Sequence, residues 1–244
     1  MNKLNGNEKH KIAVFDIDGT IFRKNLHFEL IDELAWMKIF PHDVRKKLVD
    51  LYTSWVEHRG TYESYRHELV ELYGLHIKGH TQEEVIRACK SLVPFYEQKT
   101  YVFAERLIER LRKEGYRMIA ISGSPLEVVK EFNERHLKFD KVYGSIYETD
   151  EDGKYTGSAI FEPPHDKGMV IKQYAAEHNC TFTGSYGVGD TESDASFLEI
   201  VENPIAFNPN QNLKDIAKRN GWKVIVEKKD VIYDIDCASG RCDL

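Results

Sequence analysis

The chain opens its patterned text with KIAVFDIDGTIF, Lys11 to Phe22, an apolar run that stops on two aspartates one residue apart and turns at once into Gly and Thr. Such a run predicts a buried strand. From residue 23 to about 94 the periodicity is helical only. DVRKKLVDLYTSWVEHR puts Val44, Leu48, Leu51, Tyr52, Trp55 and Val56 on one face at i, i+3, i+4 spacing. TQEEVIRACKSLVP opens with Thr81 and Glu84 in capping-box register, carries Val85, Ile86, Cys89, Leu92 and Val93, and is predicted to stop at Pro94. Two more helical periods, around 27–40 and 61–73, complete a four-helix insertion.

From about 97 onward helix and strand alternate. A helix across AERLIERLRKEG ends at Gly115, YRMIAIS is a short apolar strand, and SPLEVVKEFNERH is helical again. VYGSIYETDEDGKYTGS reads as a β-hairpin about Asp152-Gly153. A helix over KGMVIKQYAAEHN, a strand toward YGVGD, a helix over SDASFLEIV, the strand PIAF, a helix NLKDIAKRNG and the strand WKVIVE follow. The expected fold is three-layer α/β: a Rossmann-like, mainly parallel sheet with helices on both faces.

Composition narrows the class. With 244 residues and 41% hydrophobic content, the chain can form one large domain or a core with an insertion. The 34 basic and 40 acidic residues leave a net charge of −6, so no global field draws in nucleic acid or an anionic membrane. The N-terminal MNKLNGNEKHK lacks an apolar leader, and no stretch approaches the roughly 18 apolar residues of a membrane span, which points to the cytoplasm. Of the four cysteines, Cys89 reads as helix core, Cys180 as a loop thiol, and Cys237 and Cys242 as part of a C-terminal tail; their spacing marks no metal or disulfide framework.

An open α/β sheet binds its ligands beyond the carboxyl ends of the strands. The residues there are Asp16, Asp18 and Thr20 after the first strand, Ser122, Gly123 and Ser124 after YRMIAIS, and Asp190 after YGVGD with Asp194 four residues on. Lys167 opens a helix in HDKG. Alternation puts i and i+2 on one face, so Asp16 and Asp18 can aim at one point. Read individually, each element has a plain structural use: an Asp pair can cap a turn, Ser124 with Pro125 and Glu127 makes a helix start, Thr191 to Asp194 makes a capping box, and a lysine sits on many surfaces. Together they ask for more. Carboxylates converging on one edge repel unless a cation holds them, and Mg²⁺ with its oxygen preference fits best. A helix start after a strand is also an anion site, with Ser122 and the Gly123 amide as phosphate donors.

In that order, DIDGT, SGS, DKG and GDTESD resemble the four motifs of the haloacid dehalogenase-like phosphohydrolases, and the helical insertion after the first motif resembles their type-one cap, as in the phosphoserine phosphatase-like subgroup. The resemblance spans about residues 11 to 226. It implies a core of residues 1–22 and 95–236, a cap of 23–94 and a tail of 237–244. It further implies Asp16 as the nucleophile forming a phospho-aspartyl intermediate and Asp18 as general acid and base. Mg²⁺ would be held by the Asp16 carboxylate, the Asp18 backbone carbonyl and Asp190, with Asp194 in support. Lys167 and Ser122 would bind the phosphoryl group, assisted by Thr20 and Gly123. The expected partner is a small-molecule phosphomonoester. The pattern departs from phosphoserine phosphatases at Asn25, where they place a glutamate, and near Glu68, where they use a cap arginine; Arg59 or Arg66 could substitute in another register. Phosphoserine hydrolysis, transfer to an acceptor alcohol and a receiver-like phosphate sensor are the competing expectations, the sensor disfavoured because Asp18 would discharge the acyl phosphate.

Overall fold

A computed structural model describes residues 9–163 and 166–235. Eight strands form one sheet in the order β4-β3-β2-β1-β5-β6-β7-β8. The strands are β1 (His10–Phe15), β2 (Arg117–Pro125), β3 (Lys141–Thr149), β4 (Tyr155–Phe161), β5 (Cys180–Gly189), β6 (Asn203–Phe207), β7 (Lys223–Lys228) and β8 (Val231–Ile235). Pairing is parallel from β3 through β7, and β4 and β8 add antiparallel edges. The expected mainly parallel α/β fold is therefore observed.

Strand alternation builds the layers. In β1, Ala13 and Phe15 join one apolar cluster while Ile12 and Val14 join the other; in β2, Met118 and Ala120 divide from Ile119 and Ile121 in the same way. One layer holds α7 (Lys167–Glu177), α8 (Ala195–Leu198) and α9 (Gln211–Asn220). The other holds α5 (Val102–Lys113) and α6 (Leu126–Phe132). The same cluster runs on into four helices that follow β1: α1 (Leu26–Trp36), α2 (Asp43–Val56), α3 (Tyr62–Ile77) and α4 (Gln82–Tyr96).

These four helices start where side chains can satisfy free amides. Asn25 caps α1 by accepting from the Phe28 amide, Thr61 caps α3, and Thr81 with Glu84 forms the expected capping box of α4. The chain enters and leaves the helical segment at one place. Phe22 and Thr100 form an antiparallel bridge, the Arg23 amide donates to Lys99 O at 2.9 Å, and the Tyr101 amide donates to Ile21 O at 2.9 Å. Glu227 of β7 clamps this stalk: its buried carboxylate accepts from the Arg23 guanidinium and from the Val102 and Phe103 amides.

Several local expectations are corrected. Helix α4 continues through Pro94 to Tyr96, because a proline in the last turn forfeits one hydrogen bond near an end that is fraying anyway. Cys180 is not a loop thiol but the first, buried residue of β5. The helix over SDASFLEIV shrinks to a 3₁₀ turn, Glu192–Asp194, and the single turn of α8. Strand β8 had no counterpart in the sequence reading. Cys89 is buried in α4 as expected, whereas Cys237 and Cys242 lie outside the described residues. Among the described residues no helix is long and apolar enough to cross a membrane.

Candidate active site

Strand β1 lies between β2 and β5, so the sheet changes direction of winding there, and the loops after these three strands face one crevice. Asp16, Asp190 and Asp194 come together: each offers a carboxylate oxygen, and these atoms all lie within 4.8 Å of one another. Lys167, at the start of α7, is buried among them. Its ammonium donates to Asp16 Oδ1 and to Asp194 Oδ1, each at 2.6 Å, and to Ile121 O at 3.3 Å. Asp194 Oδ2 accepts from the Asp190 and Thr191 amides at 2.9 and 3.0 Å, closing the expected capping box around a fully buried carboxylate.

One lysine against three carboxylates leaves an acidic excess. Burial drives the Asp16 carboxyl up to about 8, with the Lys167 charge opposing and Asp194 adding to the rise. Asp190 is pushed well above the ordinary carboxylate range, first by burial and then by the charge of Asp16. Burial works against the charge on Lys167, yet Asp16 and Asp194 hold its proton more tightly than usual. Asp16 Oδ2 is buried and has no hydrogen-bond partner among the described residues. An unpartnered carboxylate oxygen beside two further acids is a donor set suited to a hard divalent cation, so the residues fit Mg²⁺.

Asp18 stands apart from this trio. Its Oδ1 accepts from the Leu26 amide at 2.6 Å, and its Oδ2 accepts from the Ser122 and Ser124 hydroxyls at 2.6 and 2.8 Å. Burial still raises its pKa, with the Ser122 hydroxyl as the largest opposing influence. Ser122 is consequently occupied: it donates to Asp18 and accepts from the Ser124 amide at 2.9 Å. Ser124 does not cap the next helix as its sequence context suggests. Residues 122–125 remain in β2, α6 starts after Pro125, and the Ser124 hydroxyl accepts instead from the His27 amide at 3.0 Å. Gly123 lines the crevice. Thr20 is fully buried, and its hydroxyl has no partner among the described residues.

Two glycines set the approach of these groups. Gly19 has φ +85°, and a Cβ there would lie 2.1 Å from Asp190 Oδ2. A Cβ on Gly189 would lie 2.4 Å from Cβ of Asp194. Both positions let backbone and carboxylate meet where any side chain would force them apart.

The helices α1 and α3 roof the crevice. A small cavity of about 50 Å³ is lined by Asp16, Asp18, Lys167 and Asp190 from below and by Tyr62 and Arg66 of α3 from above. His27 also lines it, buried, with its Nε2 unpartnered and its ring edge-on to Tyr73 at 4.8 Å. The sequence reading did not single out Tyr62 as a site residue or include His27, although Tyr62 and Arg66 stand four apart on one helix face, the spacing that could have found them. Glu68 is exposed and outside this lining, and Arg59 is exposed and paired with Glu57, so Arg66 is the cap arginine at the crevice. Asn25 lines it too, while its side chain caps α1.

The chain is similar to known proteins in sequence and in fold. The family model described as haloacid dehalogenase-like hydrolase matches residues 13–199. A histidinol-phosphatase of Neisseria meningitidis is 24% identical over 226 residues, 88% of this chain and 97% of that protein. A phosphoserine phosphatase of Archaeoglobus fulgidus is 25% identical over 213 residues, 86% of this chain and 56% of that protein. Among solved structures, a Bordetella pertussis protein of unknown function aligns with TM-score 0.70 at 21% identity, covering 89% of this chain and 98% of that one. A phospho-aspartyl intermediate analogue of phosphoserine phosphatase aligns with TM-score 0.61 at 22% identity, covering 91% and 96%. The sheet shares the fold of these structures; with a family match over residues 13–199 and relatives that are phosphatases, the chain belongs to the haloacid dehalogenase-like hydrolases and is an enzyme of phosphatase type.

Proposed function

We propose that the chain is a Mg²⁺-dependent phosphomonoesterase that acts on a small metabolite through a phosphoryl group carried on Asp16. The observation that supports it most is the state of the Asp16 carboxylate: one oxygen is held by Lys167 and the other is buried without a partner at the end of β1. In this reading Asp16 attacks phosphorus in line and the leaving alkoxide takes a proton from Asp18. Burial favours the protonated form of Asp18, and the Leu26 amide and two serine hydroxyls fix the orientation of its carboxyl group. Asp18 then takes a proton from the water that cleaves the acyl phosphate. Lys167 balances charge on the transferring phosphoryl group, and Gly123, which lines the crevice, offers a backbone donor, whereas Thr20 is fully buried and lines neither cavity. Asp16, Asp190 and the Asp18 backbone carbonyl would hold Mg²⁺, with Asp194 orienting Lys167. The cation, when bound, supplies positive charge to a phosphoryl oxygen and relieves the repulsion among the acids. Ser122 serves in this scheme by orienting Asp18, since its hydroxyl is already engaged. The proposed site of action is the cytoplasm.

Phosphate release from a panel of phosphomonoesters, with and without chelator, tests the reading. Activity should require Mg²⁺ and vanish in Asp16→Asn. Turnover that survives either change overturns the mechanism.

A further inference from the structure

Beside the small catalytic cavity lies a larger one of about 540 Å³, a size typical of small-molecule sites. Asn25, Tyr62, Asp190 and Thr191 line both, so the two spaces share a wall at the acids. Six rings surround the larger space: Phe28 of α1, Tyr52 and Trp55 of α2, Tyr62 and Tyr65 of α3, and Tyr101 before α5. They brace one another. Trp55 stacks on Tyr65 at 5.3 Å and meets Tyr62 edge-on at 5.2 Å, and Tyr52 meets Phe28 at 5.6 Å.

The two cations in this wall are already committed to carboxylates. Lys24 Nζ lies 2.6 Å from Glu29 Oε1, and the Arg23 guanidinium is bound to Glu227. The remaining acid of the wall, Asp190, belongs to the cluster beside Lys167, and Arg66 lines the smaller cavity, so charge is concentrated at the acids' end and the rest of the larger cavity offers mainly ring faces. The α2 face that periodicity assigns to the core is only half used there, because Tyr52 stays 45% exposed while Val44 and Leu48 are buried. A partly open aromatic wall next to a phosphoryl site reads planar groups by stacking.

We propose that this chamber receives the leaving group, and that the preferred substrates are phosphate esters of alcohols ending in a planar aromatic or heteroaromatic ring. This rests on the phosphatase reading above and adds the class of alcohol. The ester bond sits over Asp16, and the ring extends past Tyr62 into the space bounded by Tyr52 and Trp55.

The test compares phenethyl phosphate with n-butyl phosphate, two alkyl esters whose leaving alcohols are of similar basicity, using the Mg²⁺-loaded full chain. A stacking subsite predicts kcat/KM higher by about tenfold for the ring ester, carried mainly by KM, as expected for one or two ring contacts. Trp55→Ala should reduce the ratio to about twofold, and Tyr52→Ala, at an exposed position that tolerates truncation, should reduce it in the same direction. Equal kcat/KM for the two esters in the natural chain, or a ratio unmoved by both substitutions, overturns the subsite and leaves the phosphatase reading standing. Hydrolysis of neither ester by a chain that releases phosphate from other members of the panel overturns the subsite alone, and release from no member of the panel overturns the phosphatase reading and the subsite with it.

Discussion

Acidification should destabilise this protein through one histidine. His27 sits on the roof of the catalytic cavity with its Nε2 unpartnered, and burial alone pushes its pKa from 6.5 down to about 3. The folded state therefore keeps the ring neutral, whereas the unfolded chain takes up a proton as pH drops through the ordinary histidine range. Because the unfolded state binds more protons, stability falls as pH falls, starting near 6.5 and continuing to about 3. Each unit in that window costs about 1.4 kcal/mol, so between pH 7.5 and pH 5 the loss from His27 is about 2 kcal/mol. Urea unfolding at several pH values measures it directly. In His27→Phe, which keeps a ring against Tyr73, this part of the slope should vanish while the carboxylates contribute as before. Identical pH slopes in the two proteins would refute the argument. The neutral ring also has a functional side, since a cation at this position would favour the ionised form of Asp18 and take away the proton proposed for the leaving group.

Gly19→Ala should lower kcat/KM for phosphate release by at least about a hundredfold, since the new Cβ at 2.1 Å displaces Asp190 and the φ of +85° is strained for alanine; near-normal activity would contradict the geometry. Mg²⁺ at about a hundred times its Kd should add about 2.7 kcal/mol of stability and a matching rise in Tm, and Asp190→Asn should abolish most of that rise. Glu227→Ala should cost about 2 kcal/mol in urea unfolding, because it strips the Arg23 guanidinium and two amides of their acceptor while solvent reaches the arginine and recovers part of the loss.

Much of this architecture is legible in the sequence because the signals are local. The run ending in Asp16 and Asp18, the Asp152-Gly153 hairpin and the Thr81 capping box each depend on neighbours within a few residues. What escaped depends on distance. The Ser124 context reads as a helix start, but the hydroxyl is taken by Asp18 and the His27 amide, partners 106 and 97 residues away in the chain. Strand β8 is a short edge strand, VIYDI, with only Ile232 and Ile235 packed against the core, and its pairing to β7 follows from a two-residue turn in which Lys229 adopts φ 57°, a conformation nothing in its residue type announces. The aromatic positions of the helical segment could not be sorted by period alone. Tyr73 and Tyr65 are buried, Trp36 is 66% exposed, and Tyr52 and Trp55 line a cavity, although all share helical text.

The stalk at Phe22 and Thr100 carries a last consequence. Both crossings lie side by side and are bonded to each other, so the chain enters and leaves the roof through a single ribbon, while Gly79, His80 and Thr81 at the far end of the roof bond to Lys154 and Tyr155 of the β3–β4 hairpin. A short splice across that ribbon would uncover the apolar cluster that the sheet shares with the four helices and take the Leu26 amide from Asp18 and the His27 amide from Ser124. Floor and roof are therefore wired together at the site itself: exchanging the helices for another shape would change the guests admitted and would also release Asp18 from the amide that fixes it.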